Sequence, residues 1–108
     1  MIKFTEALKL ARNHISKMNI SCEIVYIERF SEGWYFCYQS RNYLDTGNFS
    51  DILAGNAPII VDKDTGAVIN TISAYPIEQY IEKYINEKNQ NFKNKFTKIL
   101  SEKLAEAV

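Results

Sequence analysis

Two turn signals separate two segments with helical periodicity, and this order constrains the fold more than any other feature of the sequence. The first signal, Ser31-Glu32-Gly33, suits a three-residue hairpin loop with glycine in the left-handed position. The second, Asp62-Lys63-Asp64-Thr65-Gly66, is also rich in residues that favour turns. A chain that places two hairpins between helices predicts an antiparallel sheet with helical neighbours.

Four strands are predicted beside these turns because the flanking segments are rich in β-branched and aromatic residues. They are residues 21–29, 34–40, 58–62 and 67–72. The segment between the two hairpins is less regular: Asp45-Thr46-Gly47-Asn48 indicates a turn, and residues 49–53 suit a single helical turn.

Apolar residues at helical spacing predict a helix at each end of the chain. In residues 4–18 they are Phe4, Leu8, Ala11, Ile15 and Met18. Residues 76–106 are predicted to be mostly helical, as one bent helix or two. Their first stripe is Ile77, Tyr80, Ile81, Tyr84 and Ile85, and the second is Phe92, Phe96, Ile99, Leu100 and Leu104.

The predicted fold class is therefore α+β. It has an N-terminal helix, an antiparallel sheet of about four strands built from two hairpins, and a C-terminal helix or helices packed on one face. A chain of 108 residues is too short for two domains that each bury a useful core. We expect one domain over residues 1–88, with residues 89–108 as a helical extension of it.

Charge and hydropathy exclude several classes of partner. The formal net charge is zero, which removes the electrostatic argument for nucleic acid or an anionic membrane. No segment approaches the roughly 18 apolar residues that span a bilayer. The N-terminus also lacks the continuous apolar core of a secretory signal. These features predict a cytoplasmic protein without a membrane or nucleic-acid partner.

The sequence predicts no set of catalytic residues. His14 is the only histidine, and Cys37 is the obvious nucleophile to pair with it. Nothing predicts the nearby base and electropositive surroundings that a reactive cysteine needs. One histidine without a Cys-x-x-Cys pair does not make a typical zinc site, and Asp62 with Asp64 suits a hairpin turn better than a calcium loop. We therefore expect no enzyme, no cofactor and no metal.

The two cysteines are predicted to be free. With a tight turn at residues 31–33, Cys22 lies opposite Arg41 or Asn42, and Cys37 lies opposite Tyr26 or Ile27. Several residue pairs then separate the two sulfur atoms, which exceeds the reach of a disulfide.

Recognition is the better interpretation of the middle of the chain. Tryptophan, tyrosine and arginine are frequent anchors of protein interfaces, and a loop on a fixed scaffold is a common binding surface. Aromatic residues in a hairpin are more often core, so the prediction for Trp34, Tyr35 and Arg41 concerns those that are exposed. The predicted partner-binding residues are Trp34, Tyr35, Arg41, Tyr43, Asp45, Phe49, Asp51 and Asn56.

An ordered set of motifs resembles a known family. In chain order they are GWYFCY, YLDTGN, LAGNAP, IVDKDTGAV and the proline-opened helix PIEQYIEKY. Together they are similar to the YrhB family, also called the immunity protein 35 family of bacterial polymorphic toxin systems. The resemblance covers roughly residues 1–86, and the helix from Phe92 onward extends beyond the usual end of the family.

This resemblance implies a cytoplasmic, non-enzymatic α+β protein that binds and neutralises a cognate protein toxin by stoichiometric occlusion. It does not fix the activity of the toxin, and it supplies no catalytic residues. Two alternatives come from the residues themselves. The two stripes of the C-terminal helix suit a chaperone-like or adaptor module that binds exposed hydrophobic segments, and Cys22 or Cys37 suits a small enzyme.

The last apolar stripe carries one further prediction. Apolar side chains in residues 92–104 need a cover, either the sheet of the same chain or a second copy. The sequence therefore predicts either packing on the sheet or a homodimer through residues 92–104.

Overall fold

The structure is a computed structural model that describes residues 1–52, 57–71 and 75–107, without the side chains of Phe92, Lys95, Phe96, Ile99 and residues 104–107. Its helices are α1 (Phe4–Ser16), α2 (Arg41–Thr46) and α3 (Ile77–Ala107), with a 3-10 turn at Phe49–Asp51. Its strands are β1 (Cys22–Phe30), β2 (Gly33–Ser40), β3 (Ile59–Asp62) and β4 (Val68–Asn70).

The four strands form one antiparallel sheet in the order β1-β2-β3-β4. This is the sheet of two joined hairpins that the turn signals predict. Together with the terminal helices it confirms the α+β class. By its contacts the chain divides into two units, residues 1–77 and 78–108.

Helix α1 packs on one face of the sheet. Ala7 and Ala11 are fully buried and Ile15 is nearly so. Alternate residues of the sheet complete this core: Trp34, Phe36 and Tyr38 from β2, and Ile59 and Val61 from β3. The predicted apolar face of α1 is correct for Ala11 and Ile15, but Phe4 and Met18 remain partly exposed.

Two polar contacts tie α1 to the second hairpin. The Ile2 backbone N–H donates to the Lys63 carbonyl oxygen at 2.7 Å. His14 Nε2 lies 2.9 Å from Asn70 Oδ1, which accepts the ring N–H. The only histidine therefore joins a helix to a strand.

The first hairpin differs from the prediction in its turn. Gly33 pairs with Phe30 as the first residue of β2, so the loop contains only Ser31 and Glu32. The predicted left-handed turn position of Gly33 is wrong, because its φ of 156° belongs to the start of a strand that approaches β3 closely.

The register also corrects the cysteine prediction in part. Cys37 pairs with Tyr26 as expected, but Cys22 pairs with Ser40 rather than with Arg41 or Asn42. The difference arises from the shorter loop and from a bulge between Ile24 and Tyr26. Both cysteines are free, as predicted.

The second turn is held by a buried carboxylate. Asp62 is only 1% exposed, and its Oδ1 accepts the backbone N–H groups of Asp64 at 2.8 Å and Thr65 at 3.1 Å. These bonds give Asp62 the role of a turn-forming side chain. The hairpin interpretation of this motif is confirmed.

The C-terminal residues form one helix, α3, that contains the predicted stripe from Ile77 to Ile85. Lys83 and Glu87 make an i,i+4 pair on its surface at 4.0 Å. Of the second stripe, the side chains of Phe92, Phe96, Ile99 and Leu104 lie outside the described residues. The predicted homodimer through residues 92–104 stays a prediction.

Candidate partner-binding surface

A short segment after β2 carries Phe49, which is the most exposed aromatic side chain among the described residues. It comprises α2, the following turn and the 3-10 turn, residues 41–52, and is called the α2 segment below. Phe49 is 81% exposed, Leu44 45% and Ile52 38%. The sequence placed an irregular loop here, with a helical turn only near Phe49, and the structure adds the helix α2.

Helix α2 is short, but both of its ends are capped. Ser40 is 1% exposed, and its hydroxyl accepts the Tyr43 backbone N–H at 3.3 Å, as an N-cap residue does. At the other end Gly47 adopts a left-handed φ of 72° and donates its N–H to the Tyr43 carbonyl at 2.8 Å. The caps fix the start and the end of the segment.

Further hydrogen bonds lead from α2 into the 3-10 turn. Thr46 Oγ1 donates to the Asn42 carbonyl at 2.7 Å and accepts the Asn48 N–H at 3.2 Å. The Asp51 N–H then donates to the Asn48 carbonyl at 2.9 Å. The backbone is thus ordered while the Phe49 ring points away from the core, which is the condition for a preformed anchor.

The predicted partner-binding residues separate into two groups. Trp34 and Tyr35 are buried, at 5% and 8% exposure. The α2 segment brings together Arg41, Tyr43, Asp45, Phe49 and Asp51, of which Tyr43 and Asp51 are half-buried and the others exposed. Asn56 lies outside the described residues. Leu44 and Ile52 were not among the predicted residues, although Ser40 and Gly47 are the cap signals that indicate a short helix with Leu44 in it.

Trp34 is covered by two neighbours on the α1 face of the sheet. The Phe4 ring lies 6.1 Å from the Trp34 ring, centroid to centroid, and the Arg29 guanidinium carbon lies 4.8 Å from the indole centroid. The second contact is a cation–π pair at the rim of the core. Burial gives Trp34 a role in packing within this chain.

On the opposite face, two tyrosines share one carboxylate. Tyr26 and Tyr35 donate their hydroxyls to Glu28 Oε2 at 2.5 Å and 2.6 Å. The two donors hold the pKa of Glu28 below its ordinary value. Burial, followed by the hydrogen bond and the negative charge of Glu28, raises the pKa of Tyr35 well above its ordinary value of 10.0.

The Tyr35 shift gives a pH prediction. Folding raises the pKa of Tyr35, so its protonated hydroxyl contributes to the stability of the folded state. This contribution is complete below pH 10.0 and is lost as the pH rises toward the pKa of the folded state. We expect the melting temperature of the wild type to fall more steeply above pH 10.0 than that of Tyr35→Phe. Thermal melts followed by circular dichroism between about pH 8 and 11 measure these melting temperatures. Parallel curves for the two proteins would contradict the prediction.

The cysteines do not form an activated pair with histidine. Cys37 alternates with Phe36 and Tyr38 along β2, so it faces away from α1, whereas His14 lies on α1 and contacts β4. Burial and the charge of Glu28 raise the pKa of the Cys37 thiol, and burial raises that of Cys22. A nucleophilic thiol requires the opposite shift.

Among the described residues, no group of three or more His, Cys, Asp and Glu side chains is placed to hold a metal ion. Within the same part of the chain, no helix combines the length and apolarity needed to cross a membrane.

The sheet, helix α1 packed on it and the capped α2 segment define a small α+β scaffold with an exposed apolar segment. The sequence matches the profile of the family described as Immunity protein 35 over residues 5–84. This match spans most of the chain, and the protein belongs to the immunity protein 35 family.

A relative supports the same assignment. The chain is 39% identical over 84 residues to a protein of Escherichia coli (strain K12) described as uncharacterized protein YrhB, a match that covers 78% of this chain and 89% of the relative. No solved structure matches this chain significantly.

Proposed function

We propose that this chain is an immunity protein that binds a cognate bacterial toxin and neutralises it by stoichiometric occlusion. The family match over residues 5–84 is the observation that carries this proposal. It supports a protein toxin as the class of partner and binding as the mode of action.

The α2 segment is the contact surface in this proposal. An exposed aromatic on an ordered backbone buries apolar area on binding with little loss of conformational freedom. Phe49 supplies that aromatic, while Leu44 and Ile52 add apolar area beside it in the chain. Arg41 and Asp45 supply exposed charges of both signs, which select a complementary partner.

The proposal also includes the place of action and the extent of the domain. Two free cysteines are typical of a reducing compartment, which supports a cytoplasmic location. We place the binding domain in residues 1–88 and treat residues 89–108 as its helical extension, since the family match ends at residue 84.

Co-purification with the product of the neighbouring gene tests the proposal. The tagged full chain and that protein are expressed together, and we expect a complex of one to one stoichiometry by light scattering. Co-expression is also expected to restore growth of cells that produce the toxin. An unrelated toxin domain is the control and should neither bind nor lose toxicity.

Two outcomes would contradict the proposal. One is that the neighbouring protein does not bind the wild-type chain. The other is that the chain instead suppresses the aggregation of unrelated proteins without one tight partner, which would favour the chaperone-like alternative.

A further inference from the structure

A cavity of about 290 Å³ lies where α1, β1 and the first residue of α2 meet. Ile15, only 4% exposed, and the half-buried Ile24 give it apolar walls, while Arg12, Arg41 and Glu23 are the charged residues of its lining. The volume is at the lower end of the range for small-molecule pockets, so it suits one side chain with a few waters. We call it the arginine cavity.

Arg12 contributes a positive charge without a partner among the described residues. It follows the fully buried Ala11 on α1, so its backbone position is fixed by the core while its side chain is exposed. A guanidinium stays charged at every physiological pH and presents five N–H donors. The unused donors of Arg12 therefore favour an anionic group in this cavity.

Arg41 is held at the other side of the cavity by two hydrogen bonds. Its backbone N–H donates to the Ser21 carbonyl at 2.9 Å, and it opens α2 directly after the N-cap residue Ser40. Its Nη2 donates to Glu23 Oε1, and about half of each side chain remains exposed. An exposed pair of this kind contributes little to stability, and it occupies only part of the Arg41 donor set.

The lining charges do not cancel. The lining includes two arginines and one glutamate, so one positive charge remains when Glu23 is paired with Arg41. An incoming carboxylate accepts several hydrogen bonds and forms bidentate pairs with arginine. The cavity is thus complementary to one further carboxylate.

We propose that the arginine cavity receives an acidic side chain of the protein partner, with Arg12 and Arg41 binding its carboxylate. This inference rests on the proposed function and names the chemistry of the toxin surface that the chain recognises. Arg41 belongs both to the cavity and to the α2 segment, so one partner surface contacts both. The exposed apolar residues Ile20, near β1, and Leu44, in α2, favour a protein over a free small anion.

The test uses the purified product of the neighbouring gene and isothermal titration calorimetry. Arg12→Gln is expected to raise Kd about tenfold or more, because it removes one half of a charged hydrogen-bonded pair. Lys9→Gln is the matched control: it removes the same charge from an exposed position of α1 that does not line the cavity, and Kd should change less than about twofold. Equal melting temperatures would show that both variants fold.

A double-mutant cycle identifies the carboxylate. Acidic residues of the partner are replaced singly by alanine. We expect one of these replacements to weaken binding to the wild-type chain but to cause little further loss of affinity for the Arg12→Gln variant. Arg12→Lys keeps the positive charge but loses the bidentate hydrogen bonding of a guanidinium. We expect its affinity to lie between those of the wild type and Arg12→Gln. Inorganic phosphate, titrated as a small-anion probe, distinguishes a cavity that binds free anions only.

The outcomes separate this inference from the proposed function. A complex that forms with equal affinity for the wild type, Arg12→Gln and Arg41→Gln would overturn the inference alone, and phosphate binding in that case would mark a small-anion site. Failure of the wild type to bind the neighbouring protein would overturn both.

Discussion

Gly33→Ala is expected to destabilise the fold by about 3 kcal/mol or more, which lowers the melting temperature of a chain of this size by roughly 12 °C or more. Gly33 begins β2 and pairs with Asp62 in the neighbouring strand. A methyl group here would overlap the Val61 carbonyl oxygen and would lie 3.1 Å from the Lys63 nitrogen. Both obstacles are backbone atoms, one in the buried strand β3 and one in the residue that follows it, so relief requires moving β3 away from β2.

Gly47→Ala is the matched control for this prediction. Its φ of 72° also disfavours a side chain, but an added methyl group meets nothing within 4 Å. The expected cost is therefore about 1 kcal/mol of backbone strain. Chemical denaturation of both variants compares the two free energies of unfolding. Equal losses would show that backbone conformation, and not close strand packing, sets the requirement for glycine at position 33.

Phe49→Ala is expected to weaken the complex with the toxin about 30-fold, equivalent to about 2 kcal/mol, without lowering the melting temperature. The side chain is 81% exposed, so its removal costs the core little. In the complex the same ring would become buried, and the apolar area that it removes from water would be lost in the variant. A large change in affinity with no change in stability is the signature of a contact residue.

Tyr75→Ala is a suitable control because it removes another largely exposed aromatic, 55% exposed, outside the α2 segment. Calorimetry of wild type and both variants against the neighbouring gene product should show weaker binding for Phe49→Ala only. Tyr43→Ala provides a second replacement within the segment. Unchanged affinity in both Phe49→Ala and Tyr43→Ala would refute the α2 segment as the binding surface.

Most of the fold follows from local patterns in the sequence. Each hairpin contains strand-forming residues on both sides of a strong turn signal, and these signals predicted the four strands but not their order in the sheet. The long stripe from Ile77 to Ile85 gave the last helix. These elements were predictable because periodicity and turn chemistry act within a few residues of each other.

Helix α2 was harder to predict because six residues are too few to establish a helical period. What stabilises it is the pair of caps, Ser40 before it and Gly47 after it, together with the bond from the Arg41 N–H to Ser21. The last of these is a tertiary contact between distant parts of the chain. Local propensity alone did not contain that information.

The burial of individual aromatics also depended on tertiary structure. Trp34 and Tyr35 are neighbours in sequence, and alternation places them on opposite faces of β2. Their burial depends on the side chains that cover them: Phe4 from α1 for Trp34, and Tyr26 with Glu28 from β1 for Tyr35. The sequence therefore identified aromatics suited to an interface but not which of them the fold already uses.

The bulge in β1 limits how another chain can pair with this sheet. Among the described residues, β1 pairs only with β2 and so forms one edge of the sheet, while the opposite edge, β4, has three residues. A bulged edge and a very short edge both discourage the addition of a strand from another chain. In the proposed toxin complex, recognition would then depend on side chains, so a different toxin could be matched by surface substitutions while the hydrogen-bonded framework stays unchanged.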